Sequence, residues 1–307
     1  MTRRTVRPVT LASLRREWPL PELDRDGDKE TRGVVLAVGG AVEIVGALML
    51  AGVGALRAGA GKLQLATCRS IAPTVAALVP EARVVRLAES RGGGISPRAA
   101  ALVASLGKQA AAVLVGPGMV DPPATTAFVT ALMAALVQST GDEPAVVLDA
   151  GAIAVLADEP SLLHGFDGRA SLTPHAGEAA TALGVPIAEV IADPLGAARE
   201  AATRFGASVA LKGAVTWIVQ PDGKSWSYSG GDVGLATSGS GDVLAGVVAG
   251  LLARGAEPSQ ALAWGAYAHG TAGGRLAEKF GPVGYLAREL LAEIPLALHT
   301  KGRGNRD

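Results

Sequence analysis

Short apolar runs alternate with longer segments rich in alanine and leucine from residue 33 onward. Each short run is too brief for a helix, and most of them end in glycine or another turn-forming residue, which is typical of buried strands. A further run, after the turn Pro221-Asp222-Gly223, predicts the return strand of a hairpin. The predicted strands are 34–38, 62–66, 83–87, 112–115, 145–148, 209–211, 216–219 and, in the hairpin, 224–228. The predicted helices lie near 46–59, 97–106, 123–138, 194–205, 242–254 and 258–278.

Strands that alternate with helices indicate an α/β fold, in which helices cover both faces of a mostly parallel central sheet. No repeat, low-complexity tract or linker interrupts residues 33–298, so we expect one domain over that range. We interpret the polar residues 1–32 as an extension on the domain surface and 299–307 as a polar tail. In sheets of this kind ligands bind beyond the carboxyl ends of the strands, so the functional residues are expected there.

Composition narrows the class of protein. Lys and Arg together equal Asp and Glu at 28 each, so no global field attracts nucleic acid or an anionic membrane. The longest apolar stretch, 44–56, is well short of the roughly 20 residues that span a bilayer, and the basic start lacks a secretory signal. Cys68 is the single cysteine, which excludes an intramolecular disulfide and fits a reducing compartment. We therefore expect a soluble, cytoplasmic protein without nucleic-acid or membrane partners.

The strongest candidate site is Gly239-Ser240-Gly241-Asp242, which opens an apolar helical run. Amides in the first turn of a helix have no partner within it, and the helix dipole favours anions there. Asp242 would repel a phosphate, but its position makes sense if it takes a proton from a substrate hydroxyl while the amides hold a phosphoryl group. The alternative is that Ser240 or Asp242 merely caps the helix.

Two further segments follow predicted strands. Lys212 could offer a positive charge to phosphates and Thr216 a hydroxyl group, although an ordinary hairpin turn with a solvated lysine is the alternative.

His175 and Glu178 stand three residues apart at a helix start. His175 could donate a hydrogen bond to a substrate, and Glu178 could support Mg²⁺ through water. Alternatively, Glu178 caps the helix and His175 is a half-buried, satisfied side chain.

The remaining strand exits are ambiguous. Gly118, in Val115-Gly116-Pro117-Gly118-Met119, leaves its amide accessible, but a structural turn explains it equally well. Asp149 is another candidate, though a turn-forming aspartate is the simpler interpretation. The sequence contains neither the G-x-G-x-x-G dinucleotide spacing nor a Walker A motif, and its histidines lack zinc-ligand spacing.

Taken together and in order, these segments resemble the NAD(P)H-hydrate dehydratase family of the ribokinase-like superfamily. The resemblance covers about 33–298 and rests on Gly46-Ala47, 57–61, 115–118, Thr173-Pro174-His175-Ala176-Gly177-Glu178, 211–216, 235–255 and 267–270. It implies a ribokinase-like three-layer sandwich that repairs hydrated NADH and NADPH with ADP or ATP and Mg²⁺. The implied hydrate site comprises Ala47, Gly118, His175 and Asp242. The implied nucleotide site comprises Lys212, Gly213, Ala214, Val215, Thr216 and Gly241, beside Gly239 and Ser240.

The resemblance also implies a homo-oligomer, namely a tetramer, and a separate epimerase partner, since only 32 residues precede the first predicted strand. Two features depart from the family pattern. The usual Asp-Ala-Asp-Ala-Leu-Asn is here Asp149-Ala150-Gly151-Ala152-Ile153-Ala154, and the first glycine loop is atypical.

Two rival functions remain: a small-molecule kinase of a vitamin-precursor alcohol, and a non-catalytic nucleotide sensor.

Overall fold

The computed structural model describes residues 5–22, 28–137 and 144–299, which form one ten-stranded sheet with helices around it. Neighbouring strands pair in parallel, except that β9 is antiparallel to both of its neighbours. The strands are β1 (Val6–Pro8), β2 (Val34–Val38), β3 (Lys62–Cys68), β4 (Ala82–Leu87), β5 (Ala112–Val115), β6 (Ala145–Leu148), β7 (Ala170–Leu172), β8 (Ser208–Leu211), β9 (Thr216–Val219) and β10 (Ser225–Tyr228). Their order is β1-β10-β9-β8-β7-β6-β5-β2-β3-β4.

Helices cover both faces of this sheet. They are α1 (Leu11–Glu17), α2 (Gly46–Arg57), α3 (Ala72–Leu78), α4 (Ala100–Gly107), α5 (Pro122–Val137), α6 (Ala176–Leu183), α7 (Ile187–Ala192), α8 (Pro194–Phe205), α9 (Ser240–Ala253), α10 (Pro258–Phe280) and α11 (Ala287–Leu298). Alternate residues of β2 enter two separate cores: Val35 and Ala37 pack with α2, α9, α10 and α11, whereas Leu36 and Val38 pack with α4, α5, α6 and α8. The three-layer α/β prediction is therefore confirmed.

All the strands predicted from sequence are present, with ends shifted by no more than two residues. The predicted helices are present too, although 97–99 forms a separate 3₁₀ turn before α4. Residue 138 of the predicted helix 123–138, and residues 300–307 of the predicted tail, lie outside the described residues. No helix in the described ranges is long and apolar enough to cross a membrane.

The N-terminal segment takes part in the domain rather than only lying on it. β1 pairs in parallel with β10 and extends the sheet by one strand. Trp18 packs its ring 4.5 Å from that of Trp226, and the Trp18 carbonyl accepts a hydrogen bond of 2.6 Å from the Trp264 indole. These contacts connect the segment to both β10 and α10.

Close packing of α2 on α9 sets the position of the candidate site. Gly246 and Gly250 of α9 face the backbone carbonyls of Ala51 and Ala55 on α2, so that a Cβ at either glycine would collide with backbone. Because the two helices approach at this distance, their N-terminal ends lie side by side. A Cβ at Gly239, which precedes α9, would lie 2.5 Å from the end of the Leu50 side chain on α2, so Leu50 would have to shift to admit one.

Candidate active site

The carboxyl ends of β6, β7 and β8 meet the start of α9. Asp149 follows β6, Thr173 follows β7 and Lys212 follows β8, and the backbone N–H of Lys212 donates to the Pro174 carbonyl at 2.8 Å. Asp242 lies in the first turn of α9 and is partly buried. The structure therefore brings together residues that are up to 93 positions apart, since 242 − 149 = 93.

The start of α9 is not capped by a side chain. Gly239 is the N-cap, with a left-handed φ of 89° that suits glycine, and the first helical hydrogen bond runs from the Val243 N–H to the Gly239 carbonyl at 3.1 Å. Asp242 and Ser240 therefore do not cap the helix, contrary to the alternative interpretation. The amides of Gly241 and Asp242 precede the first helical bond and face the end where an anion is stabilised.

Ser240 points away from this end of the helix. Its hydroxyl lies 2.8 Å from Nε2 of His269 on α10, and its N–H donates to the Thr237 carbonyl at 3.2 Å. The hydroxyl and the amide of Ser240 thus both have partners within the protein. Sequence reasoning did not identify His269 as part of the site, because it follows Ser240 by 29 residues with no diagnostic spacing.

A buried ion pair lies beside α9. Asp149, 2% exposed, accepts hydrogen bonds on Oδ1 from Lys212 Nζ at 3.1 Å and from the Thr173 hydroxyl at 2.8 Å. Glu178 Oε2 lies 3.9 Å from the same ammonium group. Burial tends to lower the pKa of Lys212, but the carboxylates of Asp149, Glu178 and Asp242 outweigh it and raise the pKa. Lys212 is therefore a fixed cation and not a solvated turn lysine.

The pKa of Asp242 lies well above the ordinary value for an aspartate. Its burial raises the pKa to about 7, and the negative charges of Asp149 and Glu178 act in the same direction. Lys212 opposes this shift but does not cancel it. A carboxylate with a pKa near the operating pH is a much stronger proton acceptor than an ordinary aspartate, and it is still substantially ionised.

His175 and Glu178 cap α6 reciprocally. His175 Nδ1 accepts from the amides of Gly177 and Glu178 at 3.0 and 3.2 Å, and Glu178 Oε2 accepts from the His175 N–H at 2.8 Å. The capping alternative is thus correct for Glu178. Because Nδ1 is an acceptor, the neutral ring carries its proton on Nε2. The His175 side chain is 60% exposed, which does not fit the half-buried alternative, and its Nε2 lies 3.4 Å from Glu178 Oε1.

Ala47 and Gly118, two further residues of the predicted hydrate site, lie close to each other. A Cβ at Gly118 would be 3.3 Å from the Ala47 Cβ and 2.8 Å from the Ile44 carbonyl oxygen. Gly118 also has a left-handed φ of 73°, so a larger residue there would be strained as well as crowded. The Gly40 amide, in the atypical glycine loop, donates to the Pro117 carbonyl at 2.8 Å and fixes the two loops to each other.

The segment after Lys212 forms the turn between antiparallel β8 and β9, as the hairpin alternative expected. Gly213 and Ala214 are exposed, whereas Val215 and Thr216 are partly buried. A Cβ at Gly241 would lie 3.2 Å from Lys212 Nζ, so this turn and the start of α9 meet at the lysine. Among the described residues, no group of three or more His, Cys, Asp or Glu side chains is placed to hold a metal ion by itself.

The chain is similar to known proteins over nearly its whole length. Residues 35–296 match the family model described as NAD(P)H-hydrate dehydratase. The chain is 46% identical over 306 residues to the ADP-dependent (S)-NAD(P)H-hydrate dehydratase of Xanthomonas campestris pv. campestris, covering 99% of this chain and 100% of that protein. It is 38% identical to the bifunctional NAD(P)H-hydrate repair enzyme Nnr of Moorella thermoacetica, covering 91% of this chain but only 52% of that longer protein.

Solved structures give the same result. The ADP/ATP-dependent NAD(P)H-hydrate dehydratase of Bacillus subtilis, co-crystallised with ATP and Mg²⁺, superposes with a TM-score of 0.78 at 30% identity. That match covers 95% of this chain and 98% of the other. The family model spans the whole sheet from β2 to β10 and the Gly239–Asp242 turn, and the chain therefore belongs to the NAD(P)H-hydrate dehydratase family.

Proposed function

We propose that this protein uses ADP, or ATP, to dehydrate the S-epimer of hydrated NADH and NADPH back to the reduced dinucleotide. The observation that carries the proposal is Asp242, a carboxylate with a pKa near 7 in the first turn of an uncapped helix. A helix start of this kind binds phosphate, and a base at the same place deprotonates the hydroxyl that attacks it. The X. campestris and B. subtilis relatives bear the name of this activity.

The chemistry follows from the poor leaving ability of hydroxide. Asp242 accepts the proton of the hydrate hydroxyl while the hydroxyl oxygen attacks the terminal phosphorus of the nucleotide. The new O–P bond forms as the P–O bond to the rest of the nucleotide breaks, which leaves the nucleotide one phosphate shorter. The electron pair of the ring nitrogen then expels inorganic phosphate from carbon, and loss of a proton from the adjacent carbon completes the elimination.

The site residues divide between the two substrates in this proposal. The hydrate is held by Ala47, Gly118, His175 and Asp242. His175 offers its Nε2–H as a donor, and Gly118 allows the hydrate to come close to the backbone. The nucleotide lies along Lys212, Gly213, Ala214, Val215, Thr216 and the turn Gly239, Ser240, Gly241. The adjacency of Gly241 and Lys212 supports a single continuous nucleotide site.

Mg²⁺ would neutralise phosphate charge in this reaction. The residues fit a loosely held ion. Glu178 is the candidate that would support it through water, since both its oxygens already contact His175. Mg²⁺ commonly keeps several waters and takes other ligands from nucleotide phosphates, so it needs no dedicated protein cage.

The test is conversion of the hydrate by the purified protein. NADHX is incubated with ADP or ATP and Mg²⁺, and the near-ultraviolet absorbance of reduced nicotinamide is followed. Nucleotide-dependent recovery of NADH, with release of inorganic phosphate, is expected. A stable phosphate ester from a vitamin-precursor alcohol, with no action on the hydrate, would favour the rival kinase. Full function after loss of the Asp242 carboxylate would favour the rival sensor.

We further propose a cytoplasmic homo-oligomer, a tetramer by resemblance to the family, that works beside a separate epimerase. The bifunctional name of the M. thermoacetica relative supports the epimerase partnership. Cys68 is a free, buried thiol, as expected in a reducing compartment.

An apolar groove of about 480 Å³ between α2 and α11, lined by Met49, Leu50 and Leu291 among others, is a surface that a second subunit could cover. A light-scattering mass of a single 30.7 kDa chain would contradict the oligomer.

A further inference from the structure

We propose that Asp149 is a positioning residue, which holds the Lys212 ammonium at the start of α9 so that Lys212 binds the terminal phosphate of the nucleotide rather than the adenosine. This inference rests on the proposed nucleotide-dependent function and deepens it. Asp149 would not touch either substrate. It would act through Lys212, and its contribution would appear only with ligands that carry the terminal phosphate.

The direction of the Asp149 side chain is fixed from several sides. Its carboxylate is buried and accepts hydrogen bonds on one oxygen from Thr173 and Lys212. The backbone carbonyl of Asp149 lies where a Cβ at Gly116 would be, so the two strand exits are in contact. Ala150, the next residue, has a left-handed φ of 49°, which turns the chain sharply away after Asp149. The carboxylate is therefore a rigid anchor for a cation.

Lys212 is held at its backbone, and its ammonium lies beside the start of α9. Its backbone N–H donates to Pro174, and its ammonium comes within 3.2 Å of where a Cβ at Gly241 would be. The glycine makes room for the charge beside the amides of the first helical turn. A positive charge next to unpaired amides complements a phosphate, whereas adenosine carries no charge to match it.

Without Asp149, the lysine has a competing partner. Glu178, on α6, places its Oε2 3.9 Å from the ammonium. Asp149 thus keeps Lys212 at the turn where Asp242 reacts and where the phosphoryl group is transferred. The exposed residues Gly213 and Ala214 remain free to contact the adenosine. The raised pKa of Lys212 supports the same arrangement, because the group stays charged at neutral pH.

The experiment compares ADP with AMP, which differ only in the terminal phosphate, by calorimetric titration. Asp149→Asn should weaken the binding of ADP about 10- to 100-fold, the range for a lost charge-assisted hydrogen bond. The affinity for AMP should stay within about twofold of the wild-type value. The matched control is Thr173→Val, which removes the other hydrogen bond to Asp149 Oδ1 without changing charge. This control should leave the ADP-to-AMP affinity ratio close to that of the wild type.

A double variant covers the case in which Asp149→Asn folds poorly because an unpaired lysine charge is left buried. Lys212→Met alone should remove the preference for ADP, and adding Asp149→Asn should cause no further loss. Equal weakening of ADP and AMP by Asp149→Asn, or additive losses in the double variant, would overturn the positioning role. Wild-type protein that binds neither nucleotide would overturn both this inference and the proposed function. Normal wild-type binding with an unchanged ratio in Asp149→Asn would overturn this inference alone.

Discussion

His269 on α10 and Ser240 at the start of α9 are joined by two contacts through one nitrogen. His269 Nε2 lies 2.8 Å from the Ser240 hydroxyl and 3.0 Å from the Ser240 carbonyl oxygen. A carbonyl oxygen can only accept, so Nε2 carries a proton. Burial lowers the His269 pKa to about 4, and the charge of Lys212 lowers it as well, so the ring is neutral at physiological pH. A neutral donor from α10 therefore fixes Ser240, the first residue of α9.

The first prediction is that His269→Leu weakens nucleotide binding by about fivefold, since one buried hydrogen bond contributes roughly 1 kcal/mol. The loss arises because Ser240 and the neighbouring amides are no longer held in place. His269→Gln keeps an N–H donor and should recover most of the affinity. Titration of ADP into both variants and the wild type checks this, and equal affinity in all three would contradict it. Tyr228→Phe, which removes a different contact to α10, serves as the control.

The second prediction concerns the pH dependence of kcat/KM. Asp242 accepts a proton only when ionised, and its pKa is raised to about 7 by burial and by Asp149 and Glu178, against the opposing charge of Lys212. Activity should therefore fall about tenfold per pH unit below that value. Asp232→Asn, at the 3₁₀ turn ahead of α9, should leave the profile unchanged. A wild-type profile that stays flat well into the acid range would rule out Asp242 as the base.

The third prediction links the same group to stability. The folded pKa of Asp242 lies above the model-compound value of 3.8, so the folded state binds the proton more tightly than the unfolded state. The stability that the folded state gains by binding this proton is fully present below the unfolded pKa of Asp242 and is lost as the pH rises through about 7. Asp242→Asn removes the penalty of the buried charge. The variant should therefore melt at a higher temperature than the wild type above neutral pH, with the difference shrinking in acid. A constant difference at every pH would contradict this.

The fourth prediction tests the N-terminal segment. Trp18→Ala removes the ring that packs on Trp226 and should lower the free energy of unfolding by roughly 1–3 kcal/mol, since Trp18 is only partly buried. Denaturant titration measures the change. Phe280→Ala is the control, because Phe280 is 49% exposed and should cost little. Equal losses in the two variants would show that the segment adds nothing specific to the domain.

The sequence predicted the main sheet because most of its strands are buried, apolar and bounded by turn residues. It missed β7, since three residues show no periodicity, and it missed β1, whose partner β10 is more than 200 residues away. Helices α1, α3 and α7 were also missed, because they have only six or seven residues, and α11 was missed beyond the glycine- and proline-containing turn that follows α10. In the site, Asp242 and Lys212 stood out by local pattern. The ion pair of Asp149 did not, because a turn-forming and a buried aspartate look alike until a lysine 63 residues later is brought against one of them.

The fifth prediction concerns the chemical role of Asp242. Asp242→Asn keeps the size of the side chain but removes its affinity for the proton, so turnover of the hydrate should fall by about 10² to 10⁴. Nucleotide binding should survive and could tighten, because a negative charge beside the phosphates has gone. Turnover and ADP affinity are measured side by side on the same preparation. If Asp242 acted as a helix cap, asparagine would replace it with almost no effect on either quantity. Near-normal turnover in the variant would therefore exclude the base. Loss of turnover with intact ADP binding would separate the proton transfer from phosphate binding and place it at Asp242.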